Sequence, residues 1–169
     1  MLSNDYKAKN PANLINNPAG AAVDRLTALG LQDKELFLPA GLLGFPAYQH
    51  YKLEPFEPGD GSESPFLLLN AVGHELTFPL IHPASMGLDY RFPSSAELLS
   101  ALGARVPEDL LPLLIVTLRE TLEEITVNLQ GPLIVNPIAA LGAQLVLEDQ
   151  PLRHPLLKPG AAEDLMRSC

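Results

Sequence analysis

The sequence predicts a mainly β protein: a small antiparallel β-barrel or strongly curved sheet with one short helix packed over an opening. Three observations carry that prediction. Short apolar runs recur between turn residues from about residue 35 to residue 149. The 17 prolines in 169 residues keep every element short, because proline cannot donate to a ladder and ends helices. Only one stretch has both a helix start and a helix stop, and a mostly antiparallel chain must hide its edges, which closure does.

Residues 1–33, rich in Asn, Ala, Pro and Gly, read as a flexible arm with a weak helical stretch from Gly20 to Leu29. Glu35 to Leu38 is a first strand, stopped by Pro39. AGLLGFP then turns on two glycines, with Phe45 placed to plug the core. Tyr48 to Leu53 forms the next strand, and EPFEPGDGSESP is a long solvated loop. Pro65 to Val72 and Glu75 to His82 flank Gly73-His74, the spacing of a hairpin. In SSAELLSALG, Ser94 as N-cap and Glu97 three residues later make the pattern of a capping box. Leu98, Leu99 and Leu102 share a face, and Gly103 ends the helix. PEDL at 107–110 makes a single turn, and LPLLIVTL is apolar enough to be covered on both faces. ITVNL, PLIVN and AQLVLED follow as three more strands. The expected organisation is an arm (1–33), a barrel-like domain (34–157) and a tail (158–169) marked by the break at Pro159-Gly160.

The stretch TVNLQGPLIVN raises a particular question, since amides interrupt its apolar pattern. Strand alternation sends Val127 and Leu129 inward and Asn128 and Gln130 outward. Gly131-Pro132 breaks the pairing as a bulge or corner, after which Leu133 and Val135 resume the inward set. Asn136 before Pro137 suits a turn. Outward amides can hydrogen-bond in either sense without charge, which fits recognition of a protein better than bond-breaking.

Reactive chemistry finds no constellation in the sequence. His50, His74, His82 and His154 include no i, i+4 pair for zinc. Ser85 in HPASMG lacks the glycines of a nucleophile elbow. Neither GLLGF nor PGDGS has the lysine and following helix of a phosphate loop. Glu108-Asp109, Glu123-Glu124 and Glu148-Asp149 are neighbours at element ends, where solvated turns account for them. No enzyme activity, metal, cofactor or small-molecule substrate is therefore expected. With 11 Lys and Arg against 20 Asp and Glu, a net charge of -9 argues against direct contact with nucleic acid. The single Cys169 suits a reducing compartment. The longest apolar run, Leu110 to Val116, is too short for a bilayer. A cytoplasmic protein without a membrane segment is expected.

Longer segments carry a family resemblance. LFLPAGLLGFPAYQHYKLEP resembles the opening of the flagellar assembly factor FliW family, and SPFLLLNAVGHELTFPLIHP is similar to its central pair of strands. LLIVTLRETLEEITVNLQGPLIVNPIAALGAQLVLED, followed by RHPL, is similar to its C-terminal signature, of which Thr126-Val127-Asn128-Leu129 with Pro132 is the most specific part. The resemblance covers about residues 35 to 157. It departs at Asn70, where glutamine is common, and in the less polar turn Ala71-Val72-Gly73-His74.

The resemblance implies a non-enzymatic partner switch and chaperone in flagellum biogenesis. Such proteins bind newly made flagellin in the cytoplasm. They also bind CsrA, an RNA-binding repressor of flagellin translation, and taking up CsrA relieves the repression. Asn128, Gln130 and Asn136, with Asn70 and Phe78 from the apolar hairpin, are the candidate partner contacts. Two other readings compete: a general chaperone for an exported helical protein, and a small barrel hydrolase.

Overall fold

The computed structural model of the chain describes residues 30–31, 34–61 and 64–157. The Gly20–Leu29 stretch, the tail and all of the arm except Gly30 and Leu31 lie outside the described residues. Eight strands are present among the described residues: β1 (Glu35–Phe37), β2 (His50–Pro55), β3 (Phe66–Ala71), β4 (Thr77–Ile81), β5 (Leu111–Thr117), β6 (Thr126–Asn136), β7 (Leu141–Gln144) and β8 (His154–Pro155). Among the described residues there is one α-helix, α1, spanning Ala96–Ala101. The strands lie in the order β5-β4-β3-β2-β1-β7-β6-β8, and β5 also pairs with β6. Seven strands thus close into a barrel, and β8 adds to β6 outside it. Among the described residues only β1–β7 runs parallel, joined by the single registered pair Phe37–Leu141.

Proline spacing and period-two burial explain the wall. β2 and β3 alternate buried and less buried residues along their length, while β5 is buried on both faces at its start. The expected hairpin forms between β3 and β4, with Ala71 N donating to Leu76 O at 2.9 Å. Tyr48 and Gln49 belong to the preceding loop instead of β2, because Gln49 O takes the Leu38 amide at 2.8 Å and closes that loop.

ITVNL and PLIVN are one strand, β6, and its corner reverses an expectation. Leu113 faces Leu133, yet Ile115 faces Asn128. Five steps along β6 therefore match two along β5, and the surplus of three is odd. An odd surplus moves the side-chain set to the other face. Leu133 and Val135 join the barrel core with Leu36, Tyr51, Leu69 and Leu80. Val127 and Leu129 instead pack with Ile81, Leu114, Val116 and Ile125 in a second cluster, bordered by Met86, Leu88, Tyr90 and Leu156. Asn128 stands opposite Ile115, which stands opposite Leu80 of the barrel core. Its side chain faces the barrel interior, not outward.

The helix begins one residue later than its sequence pattern suggests. Ser95 is the N-cap, its Oγ accepting from Leu98 N at 3.1 Å, so Ser94 and Glu97 do not form a capping box. Gly103 follows at φ 65° and stops the helix as expected. Leu98 and Leu102 pack with Leu110 and Ile134, next to Leu141 and Ala143. Ile134 lies on the face of β6 away from Leu133, so α1 covers the wall at that end more than the opening itself.

Tyr51 is fully buried in the barrel core, and its hydroxyl has no hydrogen-bond partner among the described residues. Burial, and then the neighbouring Tyr48, push its pKa up. A buried hydroxyl without a partner costs about 1–3 kcal/mol. Tyr51→Phe removes the oxygen and keeps the ring, so the unfolding midpoint should hold or rise by a few degrees. A drop of several degrees in a thermal melt would show that the hydroxyl contributes a bond of its own.

Candidate functional site

The loop 38–49, the β3–β4 turn and the corner of β6 meet at one place on the barrel. Val72 N donates to His50 O at 2.9 Å, and Leu43 N donates to Gln144 Oε1 at 2.8 Å. The loop folds tightly on Gly41, which has φ 64°; a Cβ there would lie 2.5 Å from Phe45 O. That wrap carries Phe45 and Tyr48 back over the core. Phe45 meets Phe78 edge-on at 5.2 Å, and Tyr48 meets His74 at 4.6 Å. With Leu76 and Ile115 they form a half-buried floor on the barrel core. Leu43 (59% exposed) and Val72 (38%) stand bare beside it. The result is an apolar, aromatic mouth, suited to burying apolar side chains of another protein.

The five residues proposed as contacts have different fates. Phe78 lies in the floor of this mouth. Asn70 lies on the outer face of β3 and is held by its neighbours: Nδ2 donates to Glu54 Oε2 at 3.0 Å, and Oδ1 accepts from Thr77 Oγ1 at 2.7 Å. Asn128 turns back on its own strand, its Oδ1 accepting from Gly131 N at 2.8 Å. Gln130 is half-buried, and its carbonyl accepts from Leu147 N at 2.7 Å. Asn136 is 2% exposed; it donates to Leu102 O at 2.7 Å and accepts from Ile138 N and Ala139 N at 3.1 and 3.3 Å. It forms the expected turn, but its amide offers no surface.

Sequence reasoning did not single out Gln144 or Leu43. Gln144 Nε2 donates to Gly131 O at 2.9 Å, so one carboxamide ties the corner of β6 to the loop 38–49. The sequence signal for it is its position after Gly142.

A groove of about 530 Å³ lies between residues 82–94 and 107–112 and includes Leu88, Tyr90, Arg91 and Pro107. The Tyr90 hydroxyl donates to Leu129 O at 2.6 Å; burial, and then the charge of Asp149, push its pKa up to about 12. Arg91 meets Asp89 at 3.4 Å on the exposed surface, a pair of little energetic weight. Among the described residues no group of three or more His, Cys, Asp or Glu could hold a metal ion. His50 and Glu35 approach to 3.6 Å, both well exposed. No helix among the described residues is long and apolar enough to cross a membrane.

Comparison with known proteins gives a consistent picture. The FliW protein family model matches residues 24–156. The flagellar assembly factor FliW of Natranaerobius thermophilus is 37% identical over 129 residues, covering 74% of this chain and 83% of that protein. That of Magnetococcus marinus is 34% identical over 147 residues, covering 85% of each. A crystal structure of the flagellar assembly factor FliW matches with a TM-score of 0.64 and 25% identity, over 73% of this chain and 86% of that one.

Proposed function

The chain belongs to the FliW family of flagellar assembly factors, and on that premise we propose that it is a non-enzymatic cytoplasmic adaptor alternating between flagellin and CsrA. The observation that carries this reading is the apolar mouth: a half-buried floor of Phe45, Tyr48 and Phe78 beside bare Leu43 and Val72. A surface of that kind gains by covering apolar side chains, at roughly 25 cal/mol per Å² removed from water. Flagellin is its proposed occupant. The acidic balance, with 14 acidic against 6 basic residues between positions 36 and 158, supports the second partner. Docked on CsrA, that charge repels RNA phosphates. Mutually exclusive complexes then make each ligand lower the other's apparent affinity.

The test is competition between purified proteins. Flagellin added to a preformed complex with CsrA should release CsrA, and Leu43→Asp should weaken flagellin binding at least tenfold without moving the thermal midpoint by more than a few degrees. Gln130→Ala and Asn70→Ala should have smaller effects. Simultaneous binding of both partners without mutual loss would sink the switch. Binding of flagellin and unrelated helical export substrates, with no hold on CsrA, would favour a general chaperone.

A further inference from the structure

We propose that a relay of amides, Asn128–Gly131–Gln144–Leu43, positions the loop 38–49 from the corner of β6, making Asn128 and Gln144 positioning residues for the mouth. Three bonds of 2.8, 2.9 and 2.8 Å follow one another. Asn128 Oδ1 accepts from Gly131 N, Gly131 O accepts from Gln144 Nε2, and Gln144 Oε1 accepts from Leu43 N. Each link runs in the same sense, with the donor on the Leu43 side, and the two bonds at Gly131 pin the peptide units on either side of its Cα.

Two features make the relay more than decoration. The β1–β7 seam, next to which it lies, has just one registered pair among the described residues and a backbone bond from Phe37 N to Ala140 O at 2.9 Å, so the Leu43–Gln144 bond adds a further tie where the ladder is short. Gly131 is also packed between the two carboxamides. A Cβ on it would lie 2.8 Å from Gln144 Nε2 and 3.0 Å from Asn128 Nδ2, so only glycine leaves both side chains in place. Asn128 does not bond to Leu43, yet it fixes the amide of Gly131, whose carbonyl on the next peptide unit orients the residue that does.

The proposal rests on the mouth being the surface that meets a partner, but its test needs no partner. Amide hydrogen exchange at Leu43 is measured in the parent, in Asn128→Ala, in Gln144→Ala and in the double variant. Leu43 should exchange at least tenfold faster in Asn128→Ala, and the double variant should be no faster than Gln144→Ala alone. Gln144→Glu separates the two halves: the new carboxylate still accepts from Leu43 but cannot donate to Gly131. There Leu43 should stay protected, while the Leu145 and Leu147 amides beside the corner exchange at least tenfold faster. A parent rate at Leu43 in folded Asn128→Ala, additive effects in the double variant, or an unchanged corner in Gln144→Glu would each overturn the relay. Failure of flagellin binding with the relay intact would sink only the partner reading.

Discussion

Asn136→Ala is expected to lower the unfolding midpoint by about 10 °C while leaving the surface of the mouth unaltered. The side chain is 2% exposed and makes three hydrogen bonds, joining the end of α1 at Leu102 to the turn at Ile138 and Ala139. Truncation leaves one carbonyl and two amides unpaired in a buried setting. Such groups cost about 1–3 kcal/mol each. Partial access of water at the turn reduces the total to about 3 kcal/mol, and for a domain of this size that converts at roughly 3–4 °C per kcal/mol.

Asn136→Asp sharpens the test because it changes only the donor. Its carboxylate would still accept from Ile138 and Ala139, but it would face the Leu102 carbonyl with no proton to give. Burial and that carbonyl raise the pKa of the new carboxyl group and the two amide donors lower it; the first two are expected to win, which places the folded value above the unfolded one of about 4. The protonated form restores the donor, so stability is greatest below the unfolded pKa and is lost as pH rises through the folded one. Melts across pH 3 to 7 should therefore show a growing deficit relative to the parent. A parent-like midpoint in Asn136→Ala, with weakened flagellin binding, would return Asn136 to the surface.

Gly41→Ala is expected to be comparably severe and to impair binding as well. Gly41 sits at φ 64°, and an added Cβ would lie 2.5, 2.9 and 3.0 Å from Phe45 O, Pro46 Cα and Tyr48 O. All three are backbone atoms, so no rotamer change relieves the contact. The left-handed conformation alone costs about 1–2 kcal/mol for a residue with a Cβ, and the overlap adds about 1–3 kcal/mol. The loop must then open, which takes Phe45 away from Phe78. Flagellin affinity should fall with the midpoint. Gly44→Ala is the control, because Gly44 also has positive φ (84°) but none of the described residues lies within 4 Å of an added Cβ. It should cost only the conformational part, about 1–2 kcal/mol. Equal losses in the two variants would mean that conformation matters and the close wrap does not.

Much of the fold was legible because it follows from local rules. Proline spacing, period-two alternation in β2 and β3, the hairpin at Gly73 and the helix stop at Gly103 each need only a few neighbouring residues. The cap was less certain: Ser94 and Ser95 are both suitable, and the register of Leu98 and Leu102 against Ile134 selected Ser95. The candidate site was less legible than the fold. Phe78 was placed in an apolar run, but the meeting of Phe45, Tyr48 and His74 around it depends on a loop wrapping onto Gly41.

The amino-acid order alone determined that this chain makes mostly short strands and that TVNLQGPLIVN is interrupted at Gly131-Pro132, but not where each strand stops: β6 runs through both halves of that stretch, and β7 ends at Gln144 where AQLVLED was expected to continue. It also carried the family resemblance that the comparisons bear out. The tertiary structure decided which way the amides point. Alternation tells that neighbours face opposite sides, but not which side is the interior; that depends on the three surplus residues counted against β5. Likewise, Leu43 and Gln144 are 101 positions apart, and no local pattern links them. Only closure of the barrel brings that amide and that carboxamide within bonding distance.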